Sequence, residues 1–169
     1  MSVAQRLREL GITLPGIPQP LGNYVDAVQT GNLLFLAGRG AVLPDGTRPT
    51  GQVGAQVSVE QAQAYARTIA LLDVAVMQTM LGDLERVARI VKVLGMVNAV
   101  PGFTEHPRVI NGFSDAMVDI FGERGRHARS AVGMGSLPLN IPVEIEVIVE
   151  VTPVSGGADG PPNPPMPTL

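Results

Sequence analysis

Arginines and carboxylates make up most of the side chains in this chain that can do chemistry. Arg129 opens the extended run ARSAVGMGSLP and follows a short basic cluster, Arg124, Arg126 and His127. A guanidinium offers a planar fork matched to a carboxylate, so Arg129 is the candidate anion binder. The simplest other use of the cluster is a solvated loop that balances nearby Glu123. Glu144 and Glu146 lie in the run VEIEVIVEV and suit general-base work on a water molecule. A solvated sheet face would use the same carboxylates without any chemistry.

Other patterns carry less. Gly38-Arg39-Gly40 lacks the spacing of a dinucleotide loop and has no helix behind it. Gly112-Phe113-Ser114-Asp115-Ala116 has the letters of a nucleophile elbow but sits inside a helical apolar stripe. No histidine is evidently placed as a base for Ser114, which reads as an ordinary helical serine. His106 and His127 form no HxH or HxxxH pair and there is no Cys, so neither a metal nor a thiolate nucleophile is expected.

The elements that must hold these residues form an αβ pattern. Val3, Leu7 and Leu10 mark a short amphipathic helix over 2–10, ended by Gly11 and followed by a Pro-rich connector, Pro15 to Pro20. Residues 24–30 and 33–37 read as a hairpin across Gly31-Asn32, and Pro44-Asp45-Gly46 is a turn. A short strand is expected before the first long helix. Ser58 with Gln61 is a capping box, behind which Ala62, Tyr65, Ile69, Leu72, Val76 and Met80 share one face until Gly82. Residues 86–98 are β-branched enough for a long strand. A second helix then runs from Pro107, with Ile110, Phe113, Met117 and Phe121 as its stripe and Gly122 as its stop. In the last strand Val143, Ile145, Val147, Val149 and Val151 face one way, with Glu144, Glu146, Ile148 and Glu150 facing the other. Two helices cover one face of such a sheet, so the face carrying Glu144 and Glu146 meets water or another subunit.

Composition narrows the functions open to this α+β domain. The chain has 169 residues, 12 Lys plus Arg against 15 Asp plus Glu, a net charge of −3 and 4% aromatics. That leaves neither the basic footprint nor the stacking platform of a nucleic-acid binder. With 45% apolar and 16% charged residues, the chain suggests an oligomer that hides more surface than a monomer would. No apolar run is long enough to span a bilayer and no signal-peptide core follows the start, so a cytoplasmic location is expected. Residues 153–169 hold six of the 15 prolines and read as a disordered Pro/Gly-rich tail.

Together, Gly22-Asn23-Tyr24, LLFLAGRG, and HARSAVGMGSLP followed by VEIEVIVEV make the chain similar to the YjgF/UK114/RidA (reactive intermediate deaminase) family. The resemblance covers residues 20–152, leaving 1–19 as an N-terminal helix and connector. It implies a chorismate-mutase-like domain, a mixed sheet with two helices on one face, assembled as a homotrimeric barrel with sites in clefts between subunits. It further implies cofactor-independent hydrolysis of imines and enamines of the 2-aminoacrylate type to 2-keto acids and ammonia. On that resemblance Arg129 binds the substrate carboxylate and Glu144 holds or activates water. Tyr24 and Asn111 line the pocket, and the backbone N–H of Ala131 adds a carboxylate contact. Four positions depart from the better-known members. Ala37 replaces a serine and Arg39 a glutamine, adding bulk and charge near the pocket, while Ala131 and Gly133 stand where Cys and Glu are common. These departures make the chain look like a divergent subgroup and keep open a second reading, a non-catalytic trimer that senses a small carboxylate metabolite. Ribonuclease activity, a label long attached to the family, is a weaker third.

Overall fold

A computed structural model describes residues 1–20 and 22–153. The stretch expected as a tail therefore lies, from 154 onward, outside the described residues, as does Leu21. The described chain runs α1 (Val3–Glu9), β1 (Ala27–Thr30), β2 (Leu33–Gly40), α2 (Val59–Leu81), β3 (Val87–Asn98), α3 (His106–Phe121), β4 (Ala128–Met134) and β5 (Val143–Val151).

Local chemistry sets the helix boundaries. Ser58 Oγ accepts from the Gln61 N–H and Gln61 Oε1 accepts from the Ser58 N–H, a reciprocal cap contributing about 1 kcal/mol to the start of α2. Gly82 and Gly122 end the two long helices at φ of 75° and 62°, where a side chain would be strained. Pro107 sits in the first turn of α3, where its missing N–H costs nothing. The Ser2 side chain caps α1, and Val3 and Leu7 bury against the core while Leu10 stays exposed.

The five strands form one sheet in the order β1-β2-β5-β3-β4, antiparallel throughout except for the parallel β3–β4 pair. That pair is joined through α3 as a crossover unit. β5 occupies the centre. Its Val143, Ile145, Val147, Val149 and Val151 are all buried against the helices, each such side chain contributing roughly 1.5–3 kcal/mol on leaving water. α2 and α3 lie over that face and approach closely at Gly112, where a Cβ would run into the Gln63 carbonyl. α1 packs against the outer side of α3. The opposite face has no helix over it and shows Val28, Phe35 and Val132 partly exposed among the charged side chains.

Two expectations need correction. β1 begins at Ala27 rather than at residue 24, because Tyr24 is held in a tight turn by its N–H to the Gly22 carbonyl and Asp26 turns its side chain to Arg39. The short strand expected before α2 does not form among the described residues. Pro44, Gly46 and Pro49 interrupt that stretch, which keeps only isolated bridges from Val53 to Val57 and Ala99.

Candidate active site

The first cluster forms where β2 is irregular. The β2–β5 register shifts between Leu36 and Arg39, so Ala37 and Gly38 form a bulge opposite the start of β5. A bulge bends its strand and re-aims side chains. Here the Glu144 carboxylate lies over Gly38, so close that a Cβ on residue 38 would come within 2.5 Å of Glu144 Oε1. Glu144 is half-buried. It lines a cavity of about 670 Å³ together with Tyr24, Ala37, Gly38 and Arg39. Burial raises its pKa above the ordinary 4.5, and the neighbouring negative charge of Glu146 adds to the rise. Glu146, next on the same face, is exposed.

Arg39 reaches this cavity but its charge is already engaged. Its Nη2 donates to Asp26 Oδ1 at 3.0 Å, and its Nε lies 2.8 Å from Asp73 Oδ1. The second contact is an ion pair in the interior. Asp73 is completely buried on α2, and the loss of water drives its pKa up to about 7 against the pull of Arg39.

The second cluster gathers around Arg129. Val93 on β3 pairs with both Arg129 and Val147, which puts Arg129 on the helix-covered face. There its Nη1 donates to Asn111 Oδ1 at 2.9 Å and to Ser114 Oγ at 3.0 Å, both on α3. Nη1 carries two hydrogens and both are used. Its Nη2 and Nε make no hydrogen bond among the described residues, which leaves one edge of the fork open. Ala131 and Gly133 continue the same row along β4. A Cβ at Gly133 would meet His106 Nε2 at 2.5 Å, so the imidazole fills the space above that position.

One element of this cluster corrects the sequence reading. Ser114 does have a histidine beside it: His127 Nε2 lies 3.0 Å from Ser114 Oγ, and His127 Nδ1 lies 2.7 Å from the Gly125 carbonyl. The spacing held the signal. Ser114 is one helical turn beyond Asn111, and His127 is one strand repeat before Arg129, so all four share a face. The pair lacks the setting of a nucleophile. Ser114 sits within α3, where neighbouring backbone N–H groups are committed to the helix and supply no oxyanion hole. The remaining basic residues are committed elsewhere, Arg124 to Glu85 at 3.1 Å and Arg126 to Glu123 at 3.0 Å.

The structure thus brings Tyr24, Arg39 and Glu144 together, and separately Asn111, Ala131 and Arg129. It does not bring the two sets together within one chain. Met96 pairs with Glu144 and Val93 with Arg129, so the two residues project from opposite faces of the sheet.

The profile of the family described as "YjgF/chorismate_mutase-like, putative endoribonuclease" matches residues 4–151. The chain belongs to the YjgF/RidA family. The match begins within α1 and runs to the end of β5. Within the family, the protein TCP17 of Trypanosoma cruzi is 46% identical over 88% of this chain and 94% of its own length. A 2-iminobutanoate/2-iminopropanoate deaminase of Dermatophagoides farinae is 30% identical over 83% of this chain and 94% of its own length. The crystal structure of Atu1372, a protein of unknown function from Agrobacterium tumefaciens, superposes with a TM-score of 0.80 at 43% identity, covering 89% of this chain and 94% of that one. The α+β fold and the mixed sheet are those of the family. Among the described residues no helix is long and apolar enough to cross a membrane.

Proposed function

We propose that the protein is a cofactor-independent hydrolase of small imine or enamine acids, working in sites shared between copies of the chain. The observation that carries this reading is the Arg129 guanidinium, held through Nη1 with its Nη2–Nε edge open, the arrangement a carboxylate-bearing substrate needs. The relative from Dermatophagoides named as an iminobutanoate/iminopropanoate deaminase supports the choice of reaction. The geometry of the single chain supports sharing between copies. Arg129 and Glu144 point away from each other in one chain, and the uncovered sheet face presents apolar side chains to a neighbour. A homotrimer, the assembly the family resemblance implies, would close the two clusters onto one another.

In the proposed reaction an enamine first tautomerises to its imine, whose carbon is electrophilic. Arg129 fixes the carboxylate. Glu144 in its ionised form accepts a proton from a water molecule as the C–O bond forms, giving a carbinolamine. That proton is passed to nitrogen to complete the carbinolamine, whose hydroxyl then gives up its own proton by way of Glu144 to the same nitrogen as the C–N bond breaks, so that ammonia and a 2-keto acid leave. The stoichiometry is imine plus water to keto acid plus ammonia, with no cofactor required. Holding substrate and water in place supplies most of what such a reactive carbon needs.

A second reading, a trimeric sensor of a small carboxylate, is favoured by Ala37, which brings no hydroxyl to the cavity, and by the commitment of Arg39 to two carboxylates. RNA is disfavoured as substrate by the net charge of −3 and by the pairing of Arg124 and Arg126 with glutamates. Ammonia release from enzymatically generated 2-aminoacrylate and 2-iminobutanoate decides between the first two readings. Acceleration supports the hydrolase. Thermal stabilisation by 2-oxobutanoate with no acceleration supports the sensor.

A further inference from the structure

The hydrogen bonds behind Arg129 run in one direction. The Gly125 carbonyl can only accept, so the neutral His127 ring carries its proton on Nδ1 and leaves Nε2 bare. The Ser114 oxygen accepts from Arg129 Nη1 and its own hydrogen goes to His127 Nε2. Arg129, Ser114, His127 and Gly125 thus form a chain of donors in which every proton has a place. Asn111 takes the other hydrogen of Nη1.

We propose that Ser114 and His127 are positioning residues for Arg129, fixing its guanidinium so that the Nη2–Nε edge stays free for a carboxylate, and that a second proton on His127 releases this hold. A proton on Nε2 would turn the ring from acceptor to donor. The Ser114 oxygen would then face two donors while its own hydrogen lost its acceptor, and a new positive charge would stand beside Arg129. The groups around the ring make this a local event. From α3 come Ser114 and the edge of Phe113, 6.4 Å away between ring centres. From β4 comes Arg129, the charged group that acts on the ring, and the adjacent Arg126 is turned to Glu123. Burial first, then Arg129, holds the imidazole below its ordinary 6.5, opposed by the bond to Gly125.

The inference rests on the proposed function for its ligand, but its test separates the two. The full chain, labelled with ¹⁵N, is titrated by NMR without ligand. The expected result is an Nδ1-protonated His127 and an ordered Arg129 Nε–H signal, which broadens at acid pH and in Ser114→Ala and His127→Ala. Binding of 2-oxobutanoate is then measured by calorimetry between pH 5 and 8 (an assay range). Both variants are expected to weaken it about tenfold at neutral pH, the order of one hydrogen bond to a charged group. His127→Gln keeps an acceptor within reach of Ser114 but cannot titrate. It is expected to retain affinity at neutral pH and to flatten the loss seen for the wild type in acid. An Arg129 signal and a pH profile unchanged in Ser114→Ala and His127→Ala would overturn the inference. If the wild type bound no 2-oxobutanoate at any pH, the functional reading would fall, and the order of Arg129 in the variants would still decide the positioning role.

Discussion

Arg129 and Glu144 stand on opposite faces of one sheet, separated by β3 and offset by three residues along the strands, since Val93 pairs with both Arg129 and Val147. An arginine that grips a carboxylate and a glutamate that handles water cannot serve one molecule from these positions in a single chain. In the proposed function a neighbouring copy would resolve the conflict, each chain contributing its Arg129 cluster to one site and its Glu144 cluster to another.

Arg129→Ala is expected to remove detectable imine hydrolysis, and Arg129→Lys to lower kcat/KM about a hundredfold, because a lysine supplies charge without the fork. Thermal unfolding is the control. Arg129 is only half-buried, so the melting temperature should move by a few degrees at most. Turnover retained in Arg129→Ala would remove this residue from the site.

Glu144 is expected to set the acid limb of the pH–rate profile. Burial and Glu146 raise its pKa, so kcat/KM should fall on acidification at a pH above the ordinary 4.5. Glu146→Gln deletes the neighbouring negative charge and should move that limb to lower pH. Glu144→Gln should lower kcat by at least about a hundredfold and abolish the limb. A limb unchanged by Glu146→Gln would show that another group controls it.

At the bulge, Gly38→Ala places a methyl group where Glu144 Oε1 now lies, 2.5 Å from the ideal Cβ. The carboxylate must swing away, so activity should drop about tenfold or more while the fold persists, given the precision that positioned groups require. Steady-state kinetics alongside circular dichroism reads both quantities.

The β5 alternation, the capping box at Ser58 and the glycine stops at Gly82 and Gly122 were legible because each depends on neighbours in sequence. The interruption of β1 at Asp26 was not, since the cause is Arg39 across the hairpin. Nor could local pattern set the register that pairs Val93 with both Arg129 and Val147 and Met96 with Glu144, and that register is what sends Arg129 and Glu144 to opposite faces. The Ser114–His127 pair lies between these cases. The one helical turn from Asn111 to Ser114 and the one strand repeat from His127 to Arg129 are local, but only the packing of α3 on β4 brings the rows together. Arg39 was legible as an unusual charge near the pocket, whereas its buried partner Asp73 sits on the helical face that reads as core.

Asp73 gives a stability prediction that does not depend on catalysis. Its pKa is about 7 in the folded chain against an ordinary 3.8, so the folded state favours its protonated form. The stability it contributes is full below about pH 4 and is lost as the pH rises through about 7. Relative to Asp73→Asn, the wild type should therefore lose unfolding free energy between those limits. Chemical denaturation at a series of pH values measures the difference, and parallel curves for the two proteins would show that Asp73 is ionised throughout.

Subunit complementation tests the shared site most directly. Arg129→Ala and Glu144→Gln chains are each expected to be inactive alone, the first lacking the carboxylate fork and the second the group that handles water. Unfolded together in equal amounts and refolded, they should close at random into rings. Each mixed trimer then holds one interface in three that joins an intact Arg129 to an intact Glu144, or about one in four over all trimers, pure ones included. The expected result is about a quarter of wild-type turnover. A mixture as inactive as its two components, although mass analysis shows the chains co-assembled, would contradict the sharing of the site between copies.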